Sequence, residues 1–250
     1  MRHKSWKITI FVRNFYETMA TILNIETSTD MCSVALTQDG QVLEHHEDYQ
    51  GHNHAVVLSR FVESCVAYAR TRELPIDAVA VSIGPGSYTG LRIGLSEAKG
   101  LCFGLSVPLI GVNTLQLLVV STMFANFFDD DNLLYVPMLD ARRKEVYTAV
   151  YTPALEPIVQ PQPMILDAGS LSQLRDGSHT LVLMGNGSDK AHEILSPGQD
   201  LRFIPGVKPV AVDMMALAEK HFREGEFLDV AYSTPAYLKE FQATTPKKLI

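Results

Sequence analysis

The residues best placed to do chemistry form the run Gly84-Pro85-Gly86-Ser87-Tyr88-Thr89-Gly90, where glycines and hydroxyls follow the apolar stretch at residues 78–83. Glycines between a strand and a helix free backbone N–H groups to meet an anion, and Ser87 or Thr89 can cap the helix that follows. The same composition also suits a tight turn that lets helix and sheet approach each other, and both readings stand. Upstream, Glu26 and Thr27 close the first apolar run. A carboxylate there is either a magnesium or nucleotide neighbour or part of a capped turn. Glu26, Thr27, Gly84, Gly86, Ser87 and Thr89 together make the candidate phosphate or nucleotide loop. His52 and His54 lie two apart in a polar loop opening a helix, lack a convergent third ligand, and read as solvated loop or cap residues. The chain has no HExxH, no GxSxG elbow and no Cys-His pair in a catalytic context, so a peptidase reading finds none of these motifs to carry it.

The elements that must position these residues follow from periodicity. Short apolar runs at residues 21–27, 32–37 and 41–47, the last two joined by Asp39-Gly40, predict a three-strand meander. Leu58, Phe61, Val62, Cys65 and Ala69 recur at helical spacing, and so do Leu91, Leu95, Ala98, Cys102 and Leu105. Strands at residues 78–83 and 108–112 and a third helix from Thr114 complete the order β-β-β-α-β-α-β-α. That order describes the ribonuclease-H-like half of an actin-type α/β fold. Residues 19–112 are then a first lobe. Residues 113–250 form a degenerate second lobe, with strands near 134–139, 146–151 and 180–184, a Pro-rich stretch at 153–163, and a helix near 213–223. A C-terminal helix is free to pack back on the first lobe. No sequence repeat links the halves.

Composition limits the function classes. With 250 residues, 46% hydrophobic and 20% charged, the chain can bury one large core or two modest ones. A formal net charge of −7 argues against a broad nucleic-acid grip. The longest apolar runs fall far short of the roughly 20 residues that cross a bilayer. Three scattered cysteines, Cys32, Cys65 and Cys102, suit buried positions in a reducing compartment, so a cytoplasmic location is expected. The basic residues Arg2, Lys4, Lys7 and Arg13 flank an apolar stretch too short for a secretory signal, and no small-residue cleavage site follows. Met19 is the expected natural start, with residues 1–18 an extension without a fold role.

The loop from Gly84 to Gly94, continuing through Ala98-Lys99-Gly100-Leu101 and Pro108-Leu109-Ile110-Gly111-Val112-Asn113-Thr114-Leu115, resembles the TsaB (YeaZ) family. Two further segments match, Leu139-Asp140-Ala141-Arg142-Arg143-Lys144-Glu145-Val146-Tyr147 and Thr234-Pro235-Ala236-Tyr237-Leu238. The resemblance runs from Ala20 to about Leu238. It implies a two-lobed fold of the actin/Hsp70/sugar-kinase superfamily, whose members usually carry Asp where this chain has Glu26. It also implies a non-catalytic subunit that works beside a TsaD-like metalloenzyme and a TsaE-like ATPase to place a threonylcarbamoyl group on tRNA adenosine. Contact with tRNA would be indirect. No tightly bound cofactor or metal is expected; ATP or ADP shared within the complex, and a homodimer of the free protein, are left open. The TsaD-like relative carries Asn-His-x-x-x-His, whose i, i+4 spacing puts two imidazoles on one helix face for a metal. The matching positions here are Thr114 and Leu118. Two other readings stand beside this one. A glycoprotease (M22-type) lacks the motifs above, and a small-molecule kinase needs a phosphate loop in both lobes, for which Gly185-Asn186-Gly187-Ser188 is the second-lobe candidate.

Helix surfaces predict where a partner docks. Gly90, Gly94, Gly100 and Gly104 in one helix each cost about 1 kcal/mol relative to Ala, a cost that close approach of another helix would offset. Gly90, Gly94 and Gly104 are placed on one edge with Glu97 and Leu101, and the preceding helix offers Val57, Phe61 and Tyr68 as an extra apolar stripe. These eight residues are the candidate partner interface.

Overall fold

The computed structural model describes residues 20–51, 53–126, 128, 132–195, 198 and 200–239. The expected extension at residues 1–18, the expected start Met19, and His52 lie outside them. The first lobe runs β1 (Thr21–Glu26), β2 (Cys32–Gln38), β3 (Gln41–Asp48), α1 (His54–Thr71), β4 (Ala78–Gly84), α2 (Tyr88–Leu105), β5 (Leu109–Asn113) and α3 (Thr114–Ala125). The second runs β6 (Leu133–Asp140), β7 (Glu145–Tyr151), β8 (Pro157–Ile165), β9 (Thr180–Met184), α4 (Ser188–Ile194), β10 (Leu201–Ile204) and α5 (Met215–Glu224), with single 3-10 turns at Ser172–Leu174 and Ala211–Met214.

The first sheet has the order β3-β2-β1-β4-β5. β1 pairs antiparallel with β2 and parallel with β4. Every residue of β1 is buried, as expected of a central strand covered on both faces. On one face Leu23, Ile25, Val79 and Val81 meet Leu58, Val62 and Cys65 of α1 and Leu95 and Cys102 of α2. On the other, Ile22, Ala80, Ile110 and Val112 meet Leu117 and Val120 of α3 and Met214 and Leu217 around α5.

The second sheet has the order β10-β9-β6-β7-β8. β6 pairs antiparallel with β7 and parallel with β9, repeating the roles of β1, β2 and β4. Each lobe is therefore a three-strand meander extended by two parallel strands, and the chain has the two-lobed, actin-like α/β fold built on two mixed five-stranded sheets. α3 lies between the sheets. Its Leu117 and Val120 serve the first core, while Leu115, Leu118 and Val119 pack with Tyr135, Ala149 and Met184 of the second. A helix buried on both sides must be apolar all round, which is why its sequence shows no polar face.

Three second-lobe elements go beyond the expected pattern. The Pro-rich stretch contains a real strand, β8, which pairs with β7 alone and so tolerates Pro157, Pro161 and Pro163 at the sheet edge. α4 and β10, at seven and four residues, are too short to carry a readable period.

Candidate functional site: the cleft between the two sheets

Both sheets direct the carboxyl ends of their central strands at one cleft of about 1130 Å³, where open α/β sheets usually hold ligands. The first lobe contributes Ser28, Thr29 and Asp30 from the β1–β2 turn and Gly86, Ser87 and Thr89 from the start of α2. The second contributes Asp140, Arg142, Arg143 and Glu145 from the β6–β7 turn and Asn186 after β9. A smaller recess of about 700 Å³ lies at the amino ends of β6 and β9, around Asn132 and Thr180, away from these turns.

In each lobe a Gly-x-Gly-Ser loop holds the end of the first hairpin, at the β1–β2 turn in the first lobe and at the last residues of β6 in the second. Ser87 N–H donates to the Ser28 carbonyl at 2.6 Å, and Gly187 N–H donates to the Met138 carbonyl at 2.9 Å. A β-carbon added at Gly86 would lie 2.3 Å from the Ser28 carbonyl oxygen; one at Gly185 would lie 2.4 Å from that of Met138. Asn186 fastens the second clasp by accepting from Asp140 N–H at 2.9 Å. Gly84-Pro85-Gly86-Ser87 and Gly185-Asn186-Gly187-Ser188 share one spacing, although different positions of the two loops make the close contacts.

The structure separates the six loop candidates. Gly86, Ser87 and Thr89 line the cleft, and Ser87 caps α2 by accepting from Gly90 N–H at 3.2 Å. Gly84, at φ +114°, packs beneath the Ala236 carbonyl. Glu26 and Thr27 do not reach the cleft surface. Both are fully buried. Glu26 Oε1 accepts from Ser28 N–H at 2.6 Å, and burial pushes the carboxyl up to about 7 against the opposing hydrogen bonds of Ser28 and Ser82. Thr27 Oγ1 donates to the Gly90 carbonyl at 2.9 Å. The carboxylate at this strand end thus belongs to a buried turn. His54 is also buried, not solvated: its Nε2 sits 3.0 Å from the Met31 carbonyl as α1 begins.

The interface candidates divide as well. The expectation that the edge carrying Gly90, Gly94 and Gly104 is open to a partner helix is corrected at Gly90 and Gly94. β-Carbons at Gly90 and Gly94 would lie 2.1 Å from the Thr27 carbonyl oxygen and 2.2 Å from Thr27 Oγ1. The close approach they permit is therefore to this chain's own β1–β2 turn. Gly104 is exposed, with nothing within 4 Å of where its β-carbon would be. Val57 is buried in the α1 core and offers no free surface. Phe61, Tyr68 and Leu101 stay half-buried, Phe61 stacked on His46 at 5.3 Å and Tyr68 under the Arg72 guanidinium at 3.6 Å. Glu97 accepts from Ser59 Oγ at 3.3 Å, linking the two helices.

Sequence reasoning missed the chain's last described segment as a cleft element. Leu228 bridges to Leu109 at the sheet edge, and Ala236 N–H donates to the Ile83 carbonyl at 2.7 Å. Tyr237 then stacks near Tyr88 at 5.1 Å and accepts from Arg92 Nε at 2.9 Å. Lys239 crosses to pair with Glu145 of the second lobe. The match at residues 234–238 was the available signal, but nothing local says what a tail will touch.

Residues 41–161, which hold the glycine loop and the α2-β5-α3 segment, match a family profile described as "TsaD: tRNA N6-adenosine threonylcarbamoyltransferase". Across 228 residues the chain is 31% identical to the tRNA threonylcarbamoyladenosine biosynthesis protein TsaB of Escherichia coli, covering 87% of this chain and 94% of that protein. The chain belongs to the TsaB family. The Bacillus subtilis TsaB is 33% identical over 169 residues, 66% of this chain and 71% of that protein. A solved structure, YeaZ from Pseudomonas aeruginosa, superposes with a TM-score of 0.71 at 26% identity, covering 88% of this chain and all of that one. This TsaB-family chain is thus a protein of threonylcarbamoyladenosine biosynthesis in tRNA. Thr114 and Leu118, the positions expected to match the paired histidines of a TsaD-like enzyme, are both fully buried, and Leu118 fills the space facing Gly185. No helix among the described residues is long and apolar enough to cross a membrane.

Proposed function

We propose that this chain is the non-catalytic partner subunit of the machinery that transfers a threonylcarbamoyl group to tRNA adenosine. Its role is to bind and activate the TsaD-like metalloenzyme, with a TsaE-like ATPase joining the assembly in the cytoplasm. The observation that carries this reading is Leu118. A metal ligand is needed at that point of α3, and an aliphatic side chain packed between Tyr135 and Met184 occupies it. Contact with tRNA is indirect, consistent with a net charge of −7. The chain holds no cofactor tightly, and ATP or ADP is shared within the complex. The docking surface is the exposed side of the α1–α2 pair, where Phe61, Tyr68 and Leu101 are half-buried and Gly104 is open.

The test uses Gly104→Leu, because the empty space around Gly104 admits the new side chain without strain in the free protein. The variant is expected to unfold at or above the wild-type temperature, yet fail to co-elute with the TsaD-like enzyme and fail to support modification in a reconstituted mixture. A folded variant that binds and activates normally would move the interface elsewhere.

A further inference from the structure

The backbone passes between the lobes at α3, which is buried in both cores, and again at residues 205–211. In that second crossing Val207 packs in the second core, and Ala211 N–H donates to Ser33 Oγ of β2 at 2.9 Å. After α5 the chain continues as a strap, residues 226–239, laid over the first lobe. Leu228 N–H donates to the Leu109 carbonyl at 2.8 Å, Lys99 Nζ to the Ala231 carbonyl at 3.1 Å, and Ala236 N–H to the Ile83 carbonyl at 2.7 Å. Leu228 and Val230 pack against the first core. Tyr237, held by Arg92 and Tyr88, brings the strap to the start of α2 at the cleft rim. Two residues on, Lys239 spans to Glu145 at the start of β7. Among the described residues, this ion pair is the polar bond that ties the strap to the second lobe.

The two ends of the strap are held unequally. Backbone hydrogen bonds and packed side chains fix it to the first lobe, whereas the grip on the second is a pair whose lysine stays 39% exposed. A pair with that much solvent access is worth a few-fold in an equilibrium constant. It can break without disturbing either core, because neither member belongs to one. We propose that residues 226–239 form a releasable latch between the lobes. The strap is anchored on the first lobe and grips the second through Lys239 and Glu145, so breaking the pair lets the lobes swing apart about the two backbone crossings. This arrangement also gives a role to a segment that lacks regular structure of its own, yet follows α2 from Lys99 to Tyr88. The inference is independent of the partner-subunit reading, because it concerns the isolated chain.

The experiment measures lobe separation in the full chain by double electron–electron resonance. Nitroxide labels are carried at Gln41→Cys in the first lobe and Gln173→Cys in the second, both exposed; the native cysteines are buried. The variants are Lys239→Gln, Glu145→Gln and the two together, with Lys220→Gln, an exposed lysine of α5, as the control. Each single variant is expected to raise the ratio of long to short separations about threefold or more. The double variant should open no further than the singles, since both remove the same pair, and Lys220→Gln should leave the ratio unchanged. Thermal unfolding should stay at the wild-type temperature in all four. The proposal is overturned if neither single variant opens, if the two changes add, or if Lys220→Gln opens as much. A fall of several degrees in the unfolding temperature of Lys239→Gln also overturns it, because the pair would then support the fold itself.

Discussion

Thr27 Oγ1 donates a 2.9 Å hydrogen bond to the Gly90 carbonyl, locking the β1–β2 turn onto the first turn of α2. The same oxygen would stand 2.2 Å from a β-carbon at Gly94. Both partners are buried, so neither can move aside cheaply. Gly94→Ala is therefore expected to destabilise the chain by about 1–3 kcal/mol. Combined with Thr27→Ala, which removes the clashing oxygen, it should cost less than the sum of the two single changes. Urea unfolding of the four proteins in the cycle measures this, and strict additivity would mean that the two residues do not meet.

Gly100 gives the opposite sign in the same helix. It is exposed, with nothing within 4 Å of its missing β-carbon, so only helix propensity acts there. Gly100→Ala should stabilise the free protein by about 0.5–1 kcal/mol. A rise in unfolding temperature beside the fall for Gly94→Ala would separate packing from propensity within one helix.

Glu26 predicts the pH dependence of stability. Folded, its carboxyl keeps its proton to about 7; its ordinary value is 4.5. Between those values the folded chain binds more protons than the unfolded one, so stability falls as pH rises through the window and the loss is complete above about 7. The full effect is about 3 kcal/mol. Glu26→Gln retains an acceptor for Ser28 N–H but cannot ionise. Its stability profile between pH 4.5 and 7 should be flatter than wild type's; parallel profiles in chemical denaturation would place the titration on another group.

Leu118 cannot be turned back into a ligand cheaply. It is fully buried among Leu115, Val119, Tyr135 and Met184, so Leu118→His would place an imidazole among apolar side chains, at about 2 kcal/mol or more. Thr114→His/Leu118→His should therefore unfold earlier than wild type in thermal melts. It should also gain no stoichiometric zinc by elemental analysis after dialysis against the metal. Recovery of full stability on adding zinc would contradict this packing.

The order of the first lobe was legible in the sequence because its runs are long and periodic. The meander hairpin at Asp39-Gly40, the helical stripe through Leu58, Val62, Cys65 and Ala69, and the glycine loop before α2 are all signals within a few residues of chain. So was family membership, carried by side chains in order along that loop. What the tertiary structure alone decided involves partners distant in sequence. Glu26 and Thr27 read locally as a strand end open to a ligand, but α2 closes over them from 63 residues away, as the Thr27–Gly90 bond shows. Gly90 and Gly94 share a helical face by spacing, yet only the packed turn reveals that the face looks inward. Nor does any local stretch show that lysines from α4, from the loop before α5 and from the chain's last described residue pair with the cleft carboxylates Asp140, Asp30 and Glu145. The duplicated sheet, implied by the family resemblance, leaves no readable repeat in the sequence for the same reason: strand order is set by hydrogen bonds between segments tens of residues apart.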